Sequence, residues 1–289
     1  RLAQAGHDVT FVARGAHLQA LRSTGLELRS ALGDLHLPSV RAVADPEPIA
    51  DADVVLFTVK AQHGEAAARE LLPLAGERSR LLTLQNGVEG VTLLERMFGR
   101  ERVWGGVAYL EAVVSAPGQI THRSPFARIV FGPLAGADAR AEQALEAFRD
   151  AGIEADLTAE PREAVWRKWV LICAFSGLTA LTRKPIGDVL AQPETRELFR
   201  GAAAEVAALA AASGAALPRD VVDATMAFAS ETMQPSMTSS LAQDLAAGKP
   251  LELEALNGAA SRLGRELGVP TPVNDFIYAA LALHVGGNG

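Results

Sequence analysis

Val54-Val55-Leu56-Phe57-Thr58-Val59 follows Asp51-Ala52-Asp53 as an almost unbroken apolar run, and Leu81-Leu82-Thr83-Leu84 repeats the pattern before the polar turn Gln85-Asn86-Gly87. Short runs of this kind, without polar alternation, suit strands covered on both faces, which is the condition of a parallel sheet. Helical stretches lie between and around them, near residues 15–25, 63–75 and 88–98. Asp8-Val9-Thr10-Phe11-Val12-Ala13-Arg14 reads as an earlier strand ended by a turn at Gly15. Val103-Trp104-Gly105-Gly106-Val107 and Arg128-Ile129-Val130-Phe131-Gly132 read as later strands, and Gln119-Ile120-Thr121-His122 as a weaker one. Strands and helices in alternation predict a doubly wound α/β domain.

The pattern changes near residue 159. Strand signals stop, and helical periodicity with high Ala content runs to about residue 285, broken near Lys184-Pro185-Ile186-Gly187, Ala216-Leu217-Pro218, Gln234-Pro235 and Gly268-Val269-Pro270. Two domains are expected: an α/β domain over 1–158 and an all-α domain over 159–289, the second carrying the substrate contacts and any homodimer contact. The beginning reads as the end of a helix, Arg1-Leu2-Ala3-Gln4-Ala5-Gly6-His7, with Gly6 as the left-handed residue that closes it. A helix tail ahead of the first strand implies an earlier strand and turn, so the α/β domain reads as N-terminally truncated. Its sheet is then expected to be open in the middle and to bind cofactor weakly, because the central strand leads into the phosphate-binding turn.

Composition narrows the classes. The 289 residues carry a net charge of -7, which argues against nucleic acid as a partner. Nearly half the residues are hydrophobic, enough for large cores. Cys173 is the sole cysteine, so no internal disulfide exists, and a reducing, cytoplasmic setting fits. No apolar run approaches the roughly 20 residues of a membrane span, so no membrane partner is expected. Trp169 to Phe175 and Ala202 to Ala212 read as buried helix.

Ala164-Val165-Trp166-Arg167-Lys168-Trp169-Val170-Leu171 places a lysine in an apolar helical run at the change of pattern. Dehydration lowers an ammonium pKa and makes Lys168 an acid–base candidate near neutral pH; the alternative is a solvated side chain that snorkels past apolar neighbours. At the end of the second strand of a dinucleotide-binding domain an acid commonly holds the ribose hydroxyls. Here Ala13-Arg14-Gly15 offers none. Arg14 is instead suited to a 2′-phosphate, favouring NADP (NADPH), or is an ordinary exposed turn residue. A Gly-rich phosphate turn of the G-x-G-x-x-G kind is absent; neither Gly15 nor Gly33 supplies it.

Five blocks carry a resemblance. They are Gly6-His7-Asp8-Val9 with Arg14, Thr58-Val59-Lys60-Ala61, Gln85-Asn86-Gly87-Val88, Trp166-Arg167-Lys168, and Ser239-Ser240-Leu241-Ala242-Gln243-Asp244 followed by Glu252 and Asn257-Gly258. In order and spacing the chain resembles ketopantoate reductases (2-dehydropantoate 2-reductases). The resemblance implies a Rossmann-like domain followed by a helical domain. It implies NADPH-dependent reduction of a small 2-oxo acid to a 2-hydroxy acid, in the pantothenate route to coenzyme A. Lys168 matches the general acid. Asn86 matches the amide beside nicotinamide and substrate, and also suits a left-handed turn. Ser240 matches the group holding the substrate carboxylate, and Ser240-Leu241-Ala242-Gln243 also reads as a capping box. Glu252 matches the acid near the nicotinamide ribose and the lysine, with Glu254 facing elsewhere. Lys60 matches a cofactor contact, and Asp244 is read as organising the Ser240 loop. Ser176 and Asn257 complete the substrate set, and no metal is assigned.

The chain departs from that family at Ile172 and Ser176, where asparagine is common, one and two helical turns after Lys168. Ile172 cannot hydrogen-bond and Ser176 reaches less far, so selection for a hydroxylated substrate relaxes and a more apolar 2-oxo acid becomes plausible. Two other classes stay open: an opine-type or hydroxy-acid dehydrogenase of the same architecture, and a non-catalytic binding or scaffold protein.

Overall fold

In a computed structural model the protein is described over residues 1–46, 52–72, 76 and 78–287. Asp51 and residues 73–75, part of two expected elements, lie outside the described residues. The chain divides into two compact units. One holds Arg1–Thr58, Glu65–Leu84 and Leu93–Pro161; the other holds Val59–Gly64, Gln85–Thr92 and Arg162–Gly289. The helical unit therefore includes two short segments that follow strands of the α/β unit in the chain, 59–64 and 85–92.

The α/β unit runs β1 (Thr10–Val12), α1 (Gly15–Thr24), β2 (Leu26–Ser30), β3 (Leu35–Leu37), β4 (Arg41–Val43), β5 (Val54–Phe57), α2 (Gly64–Leu71), β6 (Arg80–Thr83), α3 (Glu89–Phe98), β7 (Val103–Tyr109), β8 (Ala112–Ala116), β9 (Gln119–His122), β10 (Arg128–Pro133), α4 (Ala139–Asp150) and β11 (Glu154–Leu157). Its main sheet has the order β11-β10-β7-β6-β5. The apolar runs that decide the fold pair in parallel, β5 with β6 and β6 with β7. The sheet is mixed, because β10 runs antiparallel to β7. Trp104 and Phe131 are fully buried in its core, and Phe131 meets Phe148 of α4 edge-on with ring centroids 5.5 Å apart. The indole Nε1 of Trp104 donates to Asp138, which also caps α4 and takes Arg80, so the one polar atom of that ring is satisfied.

Among the described residues β1 pairs only with β4, and β5 pairs only with β6. β1 and β5 belong to different sheets, and Val12 and Leu56 on these strands are exposed. The expected helix ending before β1 is present as a turn: Gly6 has φ +94°, His7 N–H donates to Leu2 O and Gly6 N–H to Ala3 O. Those are the two bonds of a helix closed by a left-handed glycine. The strand expected over 8–14 shortens to three residues. Five strands without a clear signal in sequence, β2, β3, β4, β8 and β11, also form. They are three to five residues long and mostly half-buried or exposed; β2, β3 and β8 join β9 in a separate four-stranded sheet.

No strand follows β11 among the described residues. The helical unit contains α5 (Pro161–Thr182), α6 (Ile186–Ala191), α7 (Pro193–Ala212), α8 (Val221–Ala227), α9 (Ser240–Ala246), α10 (Asn257–Leu267) and α11 (Pro272–Leu281). α5 is apolar on all sides, with Trp169, Val170, Cys173, Ala174 and Leu178 inaccessible to solvent. It outruns the apolar segment that marks it in sequence. By length and composition α5 could cross a membrane, but 67% of its apolar window is buried within the protein, as befits a core helix.

Candidate active site

The site is built within the helical unit on α5. Lys168 is a half-buried charged residue in a turn with buried Val165, Trp166, Trp169 and Val170, while its neighbour Arg167 is exposed and paired with Glu163. Its ammonium Nζ donates to Asn86 Oδ1 at 2.9 Å. Burial draws the Lys168 pKa down from 10.5 to about 8, and the nearby carboxylate of Glu252 opposes that shift. An amine in this range exchanges protons near neutral pH, unlike an exposed lysine.

Asn86 is held by backbone packing. Gly87 has φ +86°, and a Cβ there would lie 2.6 Å from the carbonyl oxygen of Ala255. Only glycine lets the turn close onto the short 3-10 turn Glu252–Ala255. Gln85 Nε2 donates to Val59 O at 2.8 Å, joining the segments 59–64 and 85–92. Glu252 Oε1 in turn accepts from the backbone N–H of Ala61 at 3.1 Å. Lys60 pairs with Asp244 of α9, Nζ to Oδ2, at 3.0 Å. Glu254 has a different set of partners, Arg262 at 2.7 Å and Tyr278 at 2.7 Å, which separates it from Glu252 as their spacing implies.

The structure thus brings Lys168, Asn86 and Glu252 together and pairs Lys60 with Asp244. Other expected residues stand differently. Ser240 is exposed at the start of α9, and the helix is capped one residue earlier: Ser239 Oγ accepts from Ala242 N–H at 3.1 Å. The capping box expected at Ser240 does not form: the cap is a simple one at Ser239, with Ala242 at the third helical position, and the Ser239 hydroxyl is buried against Thr179 of α5. Ser176 is buried, and Asn257 is wholly inaccessible, its amide donating to Cys173 O and Asn274 Oδ1. Both lie in the interior of the helical unit, away from the exposed Ser240. Arg14 belongs to the α/β unit, where it is exposed and hydrogen-bonded to Glu70 of α2. Among the described residues no group of three or more His, Cys, Asp or Glu side chains is placed to hold a metal ion.

Sequence reasoning misses the Ala61 N–H that holds Glu252, since a backbone donor has no residue type to announce it. It also misses Ser239, though the adjacent serine is singled out.

Residues 1–136 match the family Ketopantoate reductase PanE/ApbA, and residues 161–284 match Ketopantoate reductase PanE/ApbA C terminal. The chain belongs to the ketopantoate reductase family. It is 31% identical to the 2-dehydropantoate 2-reductase of Mesorhizobium japonicum, over 96% of this chain and 91% of that one. Two solved structures agree. A PanE/ApbA family ketopantoate reductase from Ralstonia eutropha is 35% identical with a TM-score of 0.87, covering 98% of this chain and 92% of that one. A 2-dehydropantoate 2-reductase from Geobacter metallireducens is 32% identical with a TM-score of 0.88, covering 98% and 93%. A D-mandelate dehydrogenase solved with NADH and anilino(oxo)acetate shares the fold at 20% identity and a TM-score of 0.87, covering 98% and 92%. Ketopantoate reductases are oxidoreductases dependent on pyridine nucleotide, and this chain is an enzyme of that class with the Rossmann-like fold and helical second half of the family.

Proposed function

We propose that this enzyme reduces ketopantoate, or a related 2-oxo acid, to the 2-hydroxy acid with NADPH. The observation that carries the reading is the dehydrated ammonium of Lys168, held 2.9 Å from Asn86 Oδ1 and faced by Glu252. When bound, NADPH supplies the hydride that adds to the keto carbon. The carbonyl oxygen then gains negative charge and needs one proton. Lys168 Nζ–H points its charge at that oxygen and transfers the proton, leaving a neutral amine that solvent reprotonates. With a pKa of about 8, Lys168 is mostly charged at pH 7 and so is ready to act as an acid. Asn86 fixes the direction of Nζ, and Glu252 keeps it protonated against the pull of burial.

The residues present fit a phosphorylated dinucleotide. Arg14 is an exposed cation just after β1 with no acid in Ala13-Arg14-Gly15, and a 2′-phosphate would exchange for its present partner Glu70. Lys60, half-exposed, is a second cation toward the cofactor, and Asp244 sets its position. The exposed hydroxyl of Ser240 is the group offered to the substrate carboxylate.

Ile172 favours a second reading of the substrate. It stands one helical turn from Lys168 and is half-buried, so the surface next to the ammonium on that side is apolar. A 2-oxo acid with an apolar side chain is then an alternative to ketopantoate. The test is NADPH oxidation against ketopantoate and a panel of apolar and polar 2-oxo acids. Turnover with ketopantoate or a close relative is expected; no oxidation with any member overturns the reading.

A further inference from the structure

Asparagine 257 has a place in the interior that substrate contact does not explain. Its Nδ2 donates to Cys173 O of α5 at 3.2 Å and to Asn274 Oδ1 of α11 at 2.8 Å. Asn274 Nδ2 donates to Ala202 O at 3.1 Å and to Glu205 Oε2 of α7 at 2.7 Å. Glu205 also accepts the first free N–H groups of α11, from Val273 at 2.8 Å and Asn274 at 2.9 Å. A carboxylate there satisfies donors that no helical carbonyl can reach. A single polar chain thus runs Glu205, Asn274, Asn257, Cys173 O, through four helices, with both asparagines fully buried.

Two observations separate this chain from ordinary packing. First, it is expensive as a stabilising device: Asn257 Oδ1 is buried without a hydrogen-bond partner, a loss that an apolar side chain of the same shape would avoid. Second, α5 makes room for it. A Cβ on Gly177 would lie 3.0 Å from Asn257 Nδ2, 3.1 Å from its Oδ1 and 2.8 Å from Ile277 Cγ2. The two ends are also informative. Cys173 lies five residues after Lys168 on the same helix, and Asn257 lies five residues after Glu252, at the head of the helix that follows its turn.

We propose that Asn257, Asn274 and Glu205 are positioning residues that set the Lys168 helix against the Glu252 turn. The amide of Asn257 grips α5 directly, Asn274 orients that amide, and Glu205 orients Asn274 while anchoring α11. The proposal rests on the reductase reading for its kinetic consequence, but its structural consequence at Lys168 does not. Among the groups that meet Lys168 are Asn86 from the 85–92 segment and Glu252 from the 3-10 turn, and a small displacement of α5 changes both contacts.

The test uses the double variant Asn257→Leu/Asn274→Leu, which keeps side-chain size close and removes the amides, and Glu205→Gln, which removes the charge and turns one accepting oxygen into a donating NH2. Each is assayed in the whole chain for kcat and KM with NADPH and ketopantoate, and for its thermal midpoint. The chain has four lysines, Lys60, Lys168, Lys184 and Lys249, so carbon-13 NMR of the reductively methylated protein follows the Lys168 titration directly. In the folded double variant kcat is expected to fall about tenfold or more, with KM for NADPH near the parent value and the Lys168 midpoint displaced. A folded double variant with parental kcat and parental Lys168 titration overturns the proposal. If the double variant does not melt cooperatively, Glu205→Gln decides by the same two readouts. A parent protein with no turnover on any 2-oxo acid sinks the reductase reading alone. The Lys168 midpoint then decides this proposal, supporting it if displaced and overturning it if parental.

Discussion

Replacing Lys168 with methionine should destroy activity and stabilise the protein at pH 7. The side chain keeps its apolar stem and loses its charge. Folding draws the lysine pKa from 10.5 to about 8, because the ammonium leaves water more completely than Glu252 compensates. Below pH 8 the folded protein carries the whole cost of that dehydrated charge. Between pH 8 and 10.5 the folded chain has released the proton while the unfolded chain still binds it, so stability rises with pH and the cost fades. At about 1.4 kcal/mol per pH unit the cost is about 3 kcal/mol at neutral pH. The variant leaves Asn86 Oδ1 without its donor, which returns about 1 kcal/mol at a half-exposed position. The net gain is about 2 kcal/mol at pH 7. Urea unfolding of parent and Lys168→Met at pH 7 and at pH 10.5 measures it. The variant should lead by about 2 kcal/mol at pH 7 and trail the parent by about 1 kcal/mol at pH 10.5, a change of about 3 kcal/mol. A difference that stays flat across that range would refute a dehydrated Lys168. In the same preparations kcat should fall by about 10²–10⁴, the usual worth of a general acid.

In the parent enzyme kcat/KM should fall about tenfold per pH unit above roughly pH 8, as Lys168 loses its proton, and Glu252→Gln should move that alkaline limb to lower pH because the opposing carboxylate is gone; a pH–rate profile of the two proteins checks both, and a limb unmoved in the variant removes Glu252 from the role. Arg14→Ala should erode a preference for NADPH over NADH, measured as the ratio of kcat/KM for the two cofactors; an unchanged ratio contradicts the assignment. Gly87→Ala should cost about 1–3 kcal/mol of stability through its left-handed backbone and should lower kcat as Asn86 is pushed from Lys168; parental melting and turnover would show that the turn tolerates a Cβ against Ala255 O.

The fold was legible where chemistry is continuous along the chain. Val54–Phe57 and Leu81–Leu84 announce buried parallel strands because both faces must be apolar, and the loss of strand signal near residue 159 marks the first turn of α5. Strands such as Leu26–Ser30 were not legible. Leu26-Glu27-Leu28-Arg29-Ser30 mixes charge with leucine because the strand lies in a small, half-exposed sheet, and its pairing with Gln119–His122 crosses about ninety residues. The antiparallel placement of β10 against β7 was equally hidden, since strand direction is set by the connection between them and not by composition.

The site divides along a similar line. Lys168 stands out in sequence because its charge is unusual in an apolar helical run, whereas Asn86 and Glu252 are marked only by the family resemblance. What was not legible is which of two neighbouring polar residues faces inward. Ser239 and Ser240 are indistinguishable by type; the buried one caps α9 and meets Thr179, and the exposed one begins the helix. Asn257 shows the same limit in stronger form. In sequence it joins the substrate set only through the resemblance of the Asn257-Gly258 block. In the fold, the first residue of α10 turns toward α5 through the gap left by Gly177. The gap that admits the Asn257 side chain is left by a glycine eighty residues away, and only packing connects the two.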